Sequence, residues 1–198
     1  MRYKPEHKER TRERIVTHAA RLFRRHGYDG VGVDTIMAAS KLTRGGFYGY
    51  FRSKAALFAA VLRGEHDFIT RMRARPGGTR GELTREALVV VDGYLHPDNR
   101  ERVGRGCHMA SLSTDVARGG ADARRAYTEK VRELAIEFAR GLEKPAGTPE
   151  LDPRALAAMA LCVGGLVVSR ALDDEELADA ISGACRNAVA DQLEARSA

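Results

Sequence analysis

Residues 34 to 54 of the 198-residue chain, DTIMAASKLTRGGFYGYFRSK, hold the side chains best suited to act on another molecule. The chemistry they suit is hydrogen bonding to a polyanion with readable edges. They read as two very short helices joined by a turn of roughly three or four residues, a helix-turn-helix. Asp34 is expected to cap the first helix by accepting a backbone N–H, Ile36 and Ala39 to face inward, Leu42 to plug the turn and Thr43 to cap the second helix. The second helix then presents Arg44, Tyr48 and Tyr50 outward. Such a helix fits the major groove of duplex DNA, its first residues reaching base edges and phosphates while the preceding helix crosses the backbone. Gly45, Gly46 and Gly49 lie inside it, each costing about 1 kcal/mol relative to Ala. The segment therefore needs Phe47 and Phe51, one turn apart, anchored on neighbouring helices. Glycine is useful there only if something, such as a DNA phosphate, approaches the backbone closely. The competing reading is a glycine-loosened surface loop.

Other reactive types are present without the partners a reaction needs. Cys107 beside His108, or Ser111 with Asp115, would supply nucleophile and base for a Cys- or Ser-dependent hydrolase, but near neighbours on a helix diverge in direction and no third orienting group is evident. An enzyme is not expected. His66, His96 and His108 lack metal-ligand spacing, and the three cysteines, at 107, 162 and 185, suggest neither a disulfide framework nor a metal knuckle. No metal or cofactor is expected. Cys107 follows a glycine near an expected helix start and neighbours Arg105, so unpaired amides and a guanidinium favour its thiolate; it is a candidate sensor of electrophiles or oxidants, the alternative being an inert packing residue. Cys162 and Cys185 lie on apolar helix faces and read as packing.

These side chains must be positioned by helices. Lys8 to Arg25 places Ile15, Ala19, Leu22 and Phe23 on one stripe, with Arg24, Arg25 and His26 in the last turn and Gly27 suited to a left-handed stop. Ser53 is expected to cap a long helix from Lys54 to about Met72, burying Leu57, Phe58, Val61, Leu62 and Phe68. Lys54 in its first turn is unfavourable toward the helix dipole unless a phosphate joins it, the alternative being an ammonium in water. Arg75 to Gly81 reads as a loop. Helical spacing resumes over Glu82–Tyr94, Gly106–Ala117 and Ala121–Leu142, the last with Tyr127, Val131, Leu134, Ile136 and Phe138; His96–Asn99 and Pro145–Pro149 break the chain. Asp152 and Pro153 open a helix to about Leu172, and Asp173 or Asp174 opens another through Leu177, Ile181, Cys185, Ala188, Val189 and Leu193. The first of this pair is apolar on several faces, at Leu156, Met159, Leu161, Val163, Leu166 and Val168. It needs cover from its own domain and from something else, or complete burial within a monomer. No run alternates as a half-buried strand, so the fold class expected is all-α.

The run GYDGVGVDTIMAASKLTRGGFYGYFRSKAALFAAVL, residues 27 to 62, resembles the DNA-binding domain of the TetR family of bacterial transcriptional regulators. The likeness lies in Gly27 and Tyr28 after the first helix, in Val33, Asp34, Ile36 and Ala39, and in Phe47, Tyr48, Tyr50, Phe51, Ser53 and Lys54. It implies an N-terminal three-helix DNA-binding domain with a basic arm, residues 1–53, and a helical effector-binding and dimerisation domain, residues 54–198. Thr35, Thr43, Arg44, Tyr48 and Lys54 fall at positions that commonly touch DNA in the family. The last two helices would form a four-helix bundle with those of a second subunit, where Gly164 and Gly165 would permit close approach. The middle helices would hold a pocket for an unidentified small-molecule effector. The resemblance thus implies an effector-released repressor acting as a homodimer on a palindromic double-stranded DNA operator; the alternative within DNA binding is a constitutive binder without effector. This chain departs from the family pattern at Lys41, where Gly is usual, at Gly46 in place of Thr, and at Gly49 in place of His. Lys41 would have to adopt a left-handed conformation at some cost, and readout would lean on Arg44 and on DNA shape.

Charge is distributed as such a protein requires. The net charge of +6 hides 17 Lys or Arg against 7 Asp or Glu over residues 1–75, hence +10, and 16 against 20 over residues 76–198, hence −4. A basic third joined to a mildly acidic remainder is the footprint of a nucleic-acid module. Arg2, Lys4, Lys8, Arg10, Arg12 and Arg14 form a basic arm that either tracks DNA or is solvated. Its charge leaves no apolar leader segment, so a cytoplasmic location is expected. The longest uncharged stretch, Ala155–Ser169, spans 15 residues, short of the ~20 that cross a bilayer, and no membrane partner is expected.

Overall fold

Charge does not keep the N-terminal segment extended. The structure, a computed structural model, describes residues 5–143 and 151–194. Arg2, Lys4 and the Pro145–Pro149 loop lie outside them. From Pro5 the expected arm is already helix, α1 (Pro5–His26): nothing after Pro5 breaks the helix before Gly27, and Pro is tolerated in a first turn. Then come α2 (Val33–Ala39), a 3-10 helix (Arg44–Gly49), α3 (Lys54–Arg63), α4 (Asp67–Arg73), α5 (Arg80–Tyr94), α6 (Pro97–Glu101), a 3-10 turn (Val103–Arg105), α7 (His108–Arg118), α8 (Ala121–Ala139), α9 (Pro153–Arg170) and α10 (Glu175–Glu194). Among the described residues no strand occurs, and the class is all-α. The chain forms two compact units, residues to Gly64 with Val103–Glu129, and Glu65–Arg102 with the chain from Lys130.

In the first unit the α1 stripe is buried as expected, with Ile15, Ala19 and Phe23 fully enclosed. Gly27 ends α1 at φ +71°, its N–H donated to the Phe23 carbonyl at 2.8 Å. Phe23 meets Phe58 edge-on at 5.3 Å, and Tyr28 packs on Phe58 at 4.9 Å, a favourable arrangement of ring quadrupoles. Ser53 caps α3 by accepting the Ala56 N–H. The single long helix expected from Lys54 to Met72 is broken, with α3 ending at Gly64 and α4 starting after His66. Gly64 supplies no side chain to favour helix there. α7 adds Leu112 and Val116 to the core, and α8 adds Ala123 and Ala126. Polar ties bind α7 and its approach to α1. Asp115 Oδ1 accepts the Tyr28 N–H at 3.1 Å. Arg24 donates to the Gly104 carbonyl through Nε at 3.1 Å and Nη2 at 2.7 Å, and its Nη1 lies 2.7 Å from His108 Nε2. Burial lowers the pKa of Arg24 from its ordinary value, partly opposed by the Cys107 thiol.

The second unit is stapled by Arg75, which the sequence reading placed in a soft loop. It is 5% exposed and donates to the carbonyls of Met72 and Leu83 at 2.7 Å each, and to that of Glu137. Thr79 and Glu82 form a reciprocal capping box that starts α5 at Arg80. Phe68 stacks on Tyr94 at 3.9 Å and meets Phe138 edge-on at 5.9 Å. Ile136, one of the apolar residues of α8, is exposed. Asp152 caps α9 ahead of Pro153, and of the two aspartates before α10 it is Asp174 that accepts the Leu177 N–H, at 3.0 Å. α9 packs chiefly on α10. A Cβ on Gly165 would lie 2.8 Å from Cys185 Sγ, whereas one on Gly164 would meet nothing within 4 Å; close approach inside this chain therefore uses Gly165. By length and composition α9 could cross a bilayer, with 33% of it buried in the chain.

Candidate nucleic-acid interface

The three glycines decide the form of the second helix expected over residues 44–49. Residues 44–49 form a 3-10 helix, which closes on i, i+3 bonds and suits a short piece of poor α propensity. Thr43 stands at its N-cap in extended conformation without a side-chain cap bond. The Gly46 N–H bonds to the Thr43 carbonyl at 3.1 Å, and those of Tyr50 and Phe51 to the Phe47 carbonyl at 2.9 and 3.0 Å. Phe47 is fully buried and Phe51 nearly so, with ring centroids 5.9 Å apart. Tyr48 lies edge-on to Phe47 at 5.4 Å and is 69% exposed. A Cβ added at Gly45 or Gly49 would meet nothing within 4 Å. Internal packing therefore does not require those glycines, and the space over them is open to an outside partner.

Several expected positions shift by a residue or a role. Asp34 is not the cap of α2. Gly32 holds that position, and because the helix starts at Val33 the Asp34 carboxylate lies inside the first turn, where it complements the helix dipole instead. Its Oδ2 accepts from Arg44 Nη1 at 2.9 Å. Ala39 is exposed, and Met37 and Ser40 join Ile36 inside, with Ser40 Oγ donating to the Ile36 carbonyl at 2.8 Å. Tyr50 is half-buried against the core and not directed fully outward. Lys41 does take the left-handed conformation, at φ 55°. Lys41→Gly should therefore stabilise the protein by about 0.5–1 kcal/mol, the relief of the Cβ clash outweighing the entropy glycine adds to the unfolded chain. Denaturant unfolding checks this; an unchanged or lower midpoint would refute it.

Thr35, Thr43, Arg44 and Tyr48 are all exposed on α2 and the 3-10 helix. Lys54 differs. Its Nζ donates to the carbonyls of Tyr28 at 2.9 Å and Val31 at 3.2 Å and sits 4.1 Å from the centre of the Tyr28 ring. It clamps the α1–α2 turn, a use that local spacing did not reveal. Lys54→Met should destabilise by about 1–3 kcal/mol, since two carbonyls lose charged donors and a cation–π contact disappears. Thermal unfolding is the check. Arg12, placed in the arm from sequence, lies over the Phe51 ring at 5.0 Å. Cys107 is 7% exposed and occupies the N-cap of α7 without a cap bond from its side chain. Among the described residues no group of His, Cys, Asp and Glu could hold a metal ion. The residue missed was Asp34 as the partner of Arg44; opposite charges flanking the turn were the available signal.

Residues 15–61 match the family model described as bacterial regulatory proteins, tetR family. The HTH-type transcriptional repressor NemR of Escherichia coli K12 is 25% identical over 134 residues, 67% of each chain. The transcriptional regulator AcuR of Cereibacter sphaeroides is 31% identical over 94 residues, 46% of this chain and 42% of its own. The crystal structure of E. coli NemR in its reduced form superposes with a TM-score of 0.70 at 21% identity, covering 89% of this chain and 95% of that one, which shows the shared fold. The match takes in α1 from Ile15 onward, α2, the 3-10 helix and most of α3, the elements that bury Phe47 and expose Arg44 and Tyr48, and over residues 15–61 the chain carries a regulatory domain of the tetR family.

Proposed function

We propose that the protein is an effector-released repressor that acts in the cytoplasm as a homodimer on a palindromic operator. The observation that carries the reading is the 3-10 helix itself, bare of side chains at Gly45 and Gly49, with Arg44 and Tyr48 exposed above a fully buried Phe47. In this reading Arg44 donates to guanine O6 and N7, and Tyr48 contacts the sugar-phosphate backbone or a thymine methyl. Thr35 and Thr43 donate hydroxyls to flanking phosphates. Lys54, after its two carbonyl bonds, has one N–H left for a phosphate. Residues 1–53 read DNA, and residues 54–198 receive the effector and dimerise. Val167, Val168 and Leu177, exposed on α9 and α10, supply apolar surface for a second copy, and a two-fold dimer sets the two reading segments roughly 34–36 Å apart, one turn of DNA. NemR, whose name describes a repressor, supports repression as the direction of control.

Release follows when an effector favours a conformer with another spacing. Cys107 is the candidate for that signal, because its thiol lies within electrostatic reach of Arg24, which ties α1 to Gly104 and His108. Cys107→Ser should bind operator as wild type does and lose release by hydrogen peroxide or iodoacetamide; full retention of response ends the sensor role. The reading as a whole is tested by selecting bound fragments from genomic DNA with the purified chain. A palindrome with half-sites one turn apart is expected, and recovery of unrelated sequences would overturn it.

A further inference from the structure

We propose that Asp34 is a positioning residue for base recognition, holding Arg44 so that it discriminates bases instead of serving as an indiscriminate phosphate contact. This deepens, and rests on, the assignment of Arg44 to base contact given above. The carboxylate reaches across the turn from α2 and its Oδ2 takes Arg44 Nη1 at 2.9 Å. A guanidinium carries five N–H donors in a planar fork. With Nη1 engaged by Asp34, Nη2 and Nε keep donors for two acceptors in one plane, which is what guanine O6 and N7 present. Arg44 is the one cationic side chain of the 3-10 helix, and Gly45 and Gly46, which follow it, offer no side chain that could hold it in place. Orientation must come from a neighbouring element, and Asp34 is the group that provides it.

The same carboxylate has a second effect. A negative charge beside Arg44 offsets attraction to phosphates at every site on DNA, so it weakens non-specific binding. Asp34 is tolerated there because it lies in the first turn of α2, where the helix dipole favours an anion. Only the orientation of Arg44 acts on the ratio of specific to non-specific affinity, because the charge lowers both affinities alike. Neither requires Asp34 to hold the fold together: the pair is largely exposed, with side chains 71% and 61% accessible, and exposed pairs add little to stability.

The experiment uses full-length protein, the duplex recovered by selection and a scrambled duplex of equal length, at two salt concentrations. Asp34→Asn keeps the size of the side chain and removes its charge. It should bind the scrambled duplex about 3- to 10-fold more tightly, bind the selected duplex no better than wild type, and so lose at least about 3- to 10-fold in discrimination, with an unchanged unfolding midpoint. In an Arg44→Ala background the same change should leave discrimination at the Arg44-dependent base pair unaltered. Equal gains on both duplexes would reduce Asp34 to a repelling charge and overturn the proposal, as would an unchanged ratio or the same loss of ratio in the Arg44→Ala background. If wild type itself prefers no sequence, the base-reading function has failed, an outcome distinct from a wild type that discriminates while Asp34→Asn does so equally well.

Discussion

Arg44→Ala should reduce affinity for the selected operator by about 30-fold to 10⁴-fold while leaving the unfolding midpoint within experimental error. A good bidentate contact to a base contributes roughly 1–3 kcal/mol of discrimination, and a two-fold dimer loses it twice, about 2–6 kcal/mol in all. Stability is spared because the side chain is 71% exposed and its salt bridge to Asp34 is open to solvent. Gly45, Gly46 and Gly49 carry no side chain, so Tyr48 is the exposed side chain that accompanies Arg44 on the 3-10 helix, and it has no cation to replace the contact. Titrations of operator and scrambled duplex, paired with thermal unfolding, separate the two effects. A variant that still discriminates as wild type does would show that readout comes from DNA shape or from another element. A variant that loses affinity together with its fold would show that Arg44 is structural.

Arg75→Ala should do the opposite, costing about 3–5 kcal/mol of stability through the second unit, in the range seen when one member of a buried charged network is removed. The guanidinium donates to three carbonyls from different parts of that unit, at Met72 ahead of it, Leu83 in α5 and Glu137 in α8. Burial, with Arg140 nearby, lowers its pKa below the ordinary arginine value, while Glu137 and Glu86 oppose that shift. Alanine would leave the carbonyls without donors and open a void. Arg75→Lys should recover only part of the loss, since an ammonium on a flexible stem cannot span three acceptors as a planar fork does. Denaturant unfolding measures the difference. A cost below about 1 kcal/mol would mean that water replaces the guanidinium at all three carbonyls, and the staple would be dispensable.

The contrast between these two arginines marks how far local pattern reaches. The exposure of Arg44 was legible because it depends on neighbours close in sequence, the aromatic anchors and the glycines that follow it. Arg75 was not, because it stands among Pro76, Gly77 and Gly78 in a segment with every local sign of a loop. Only the folded chain brings Leu83 and Glu137 to it. The break between α3 and α4 was missed for a related reason, since the apolar spacing from Leu57 to Phe68 continues through Gly64 and periodicity alone does not register one weak helix former. Leu57, Phe58, Val61, Leu62 and Phe68 are buried as the spacing required, though on two helices.

The sequence by itself determined the all-helical class, the stripe of α1, the left-handed Gly27, the caps at Ser53 and Asp152, and the exposed Arg44 and Tyr48. Each of these is set by side-chain volume, backbone freedom or charge within one or two turns of chain. Tertiary structure alone decided that the reading segment is a 3-10 helix, that Asp34 holds Arg44 instead of capping α2, that Lys54 clamps the carbonyls of Tyr28 and Val31, and that α7 and the start of α8 join the same compact unit as α1. The physical reason is shared. A buried or charged group takes the partner that long-range packing delivers, and which partner arrives depends on loop closures that no local window contains.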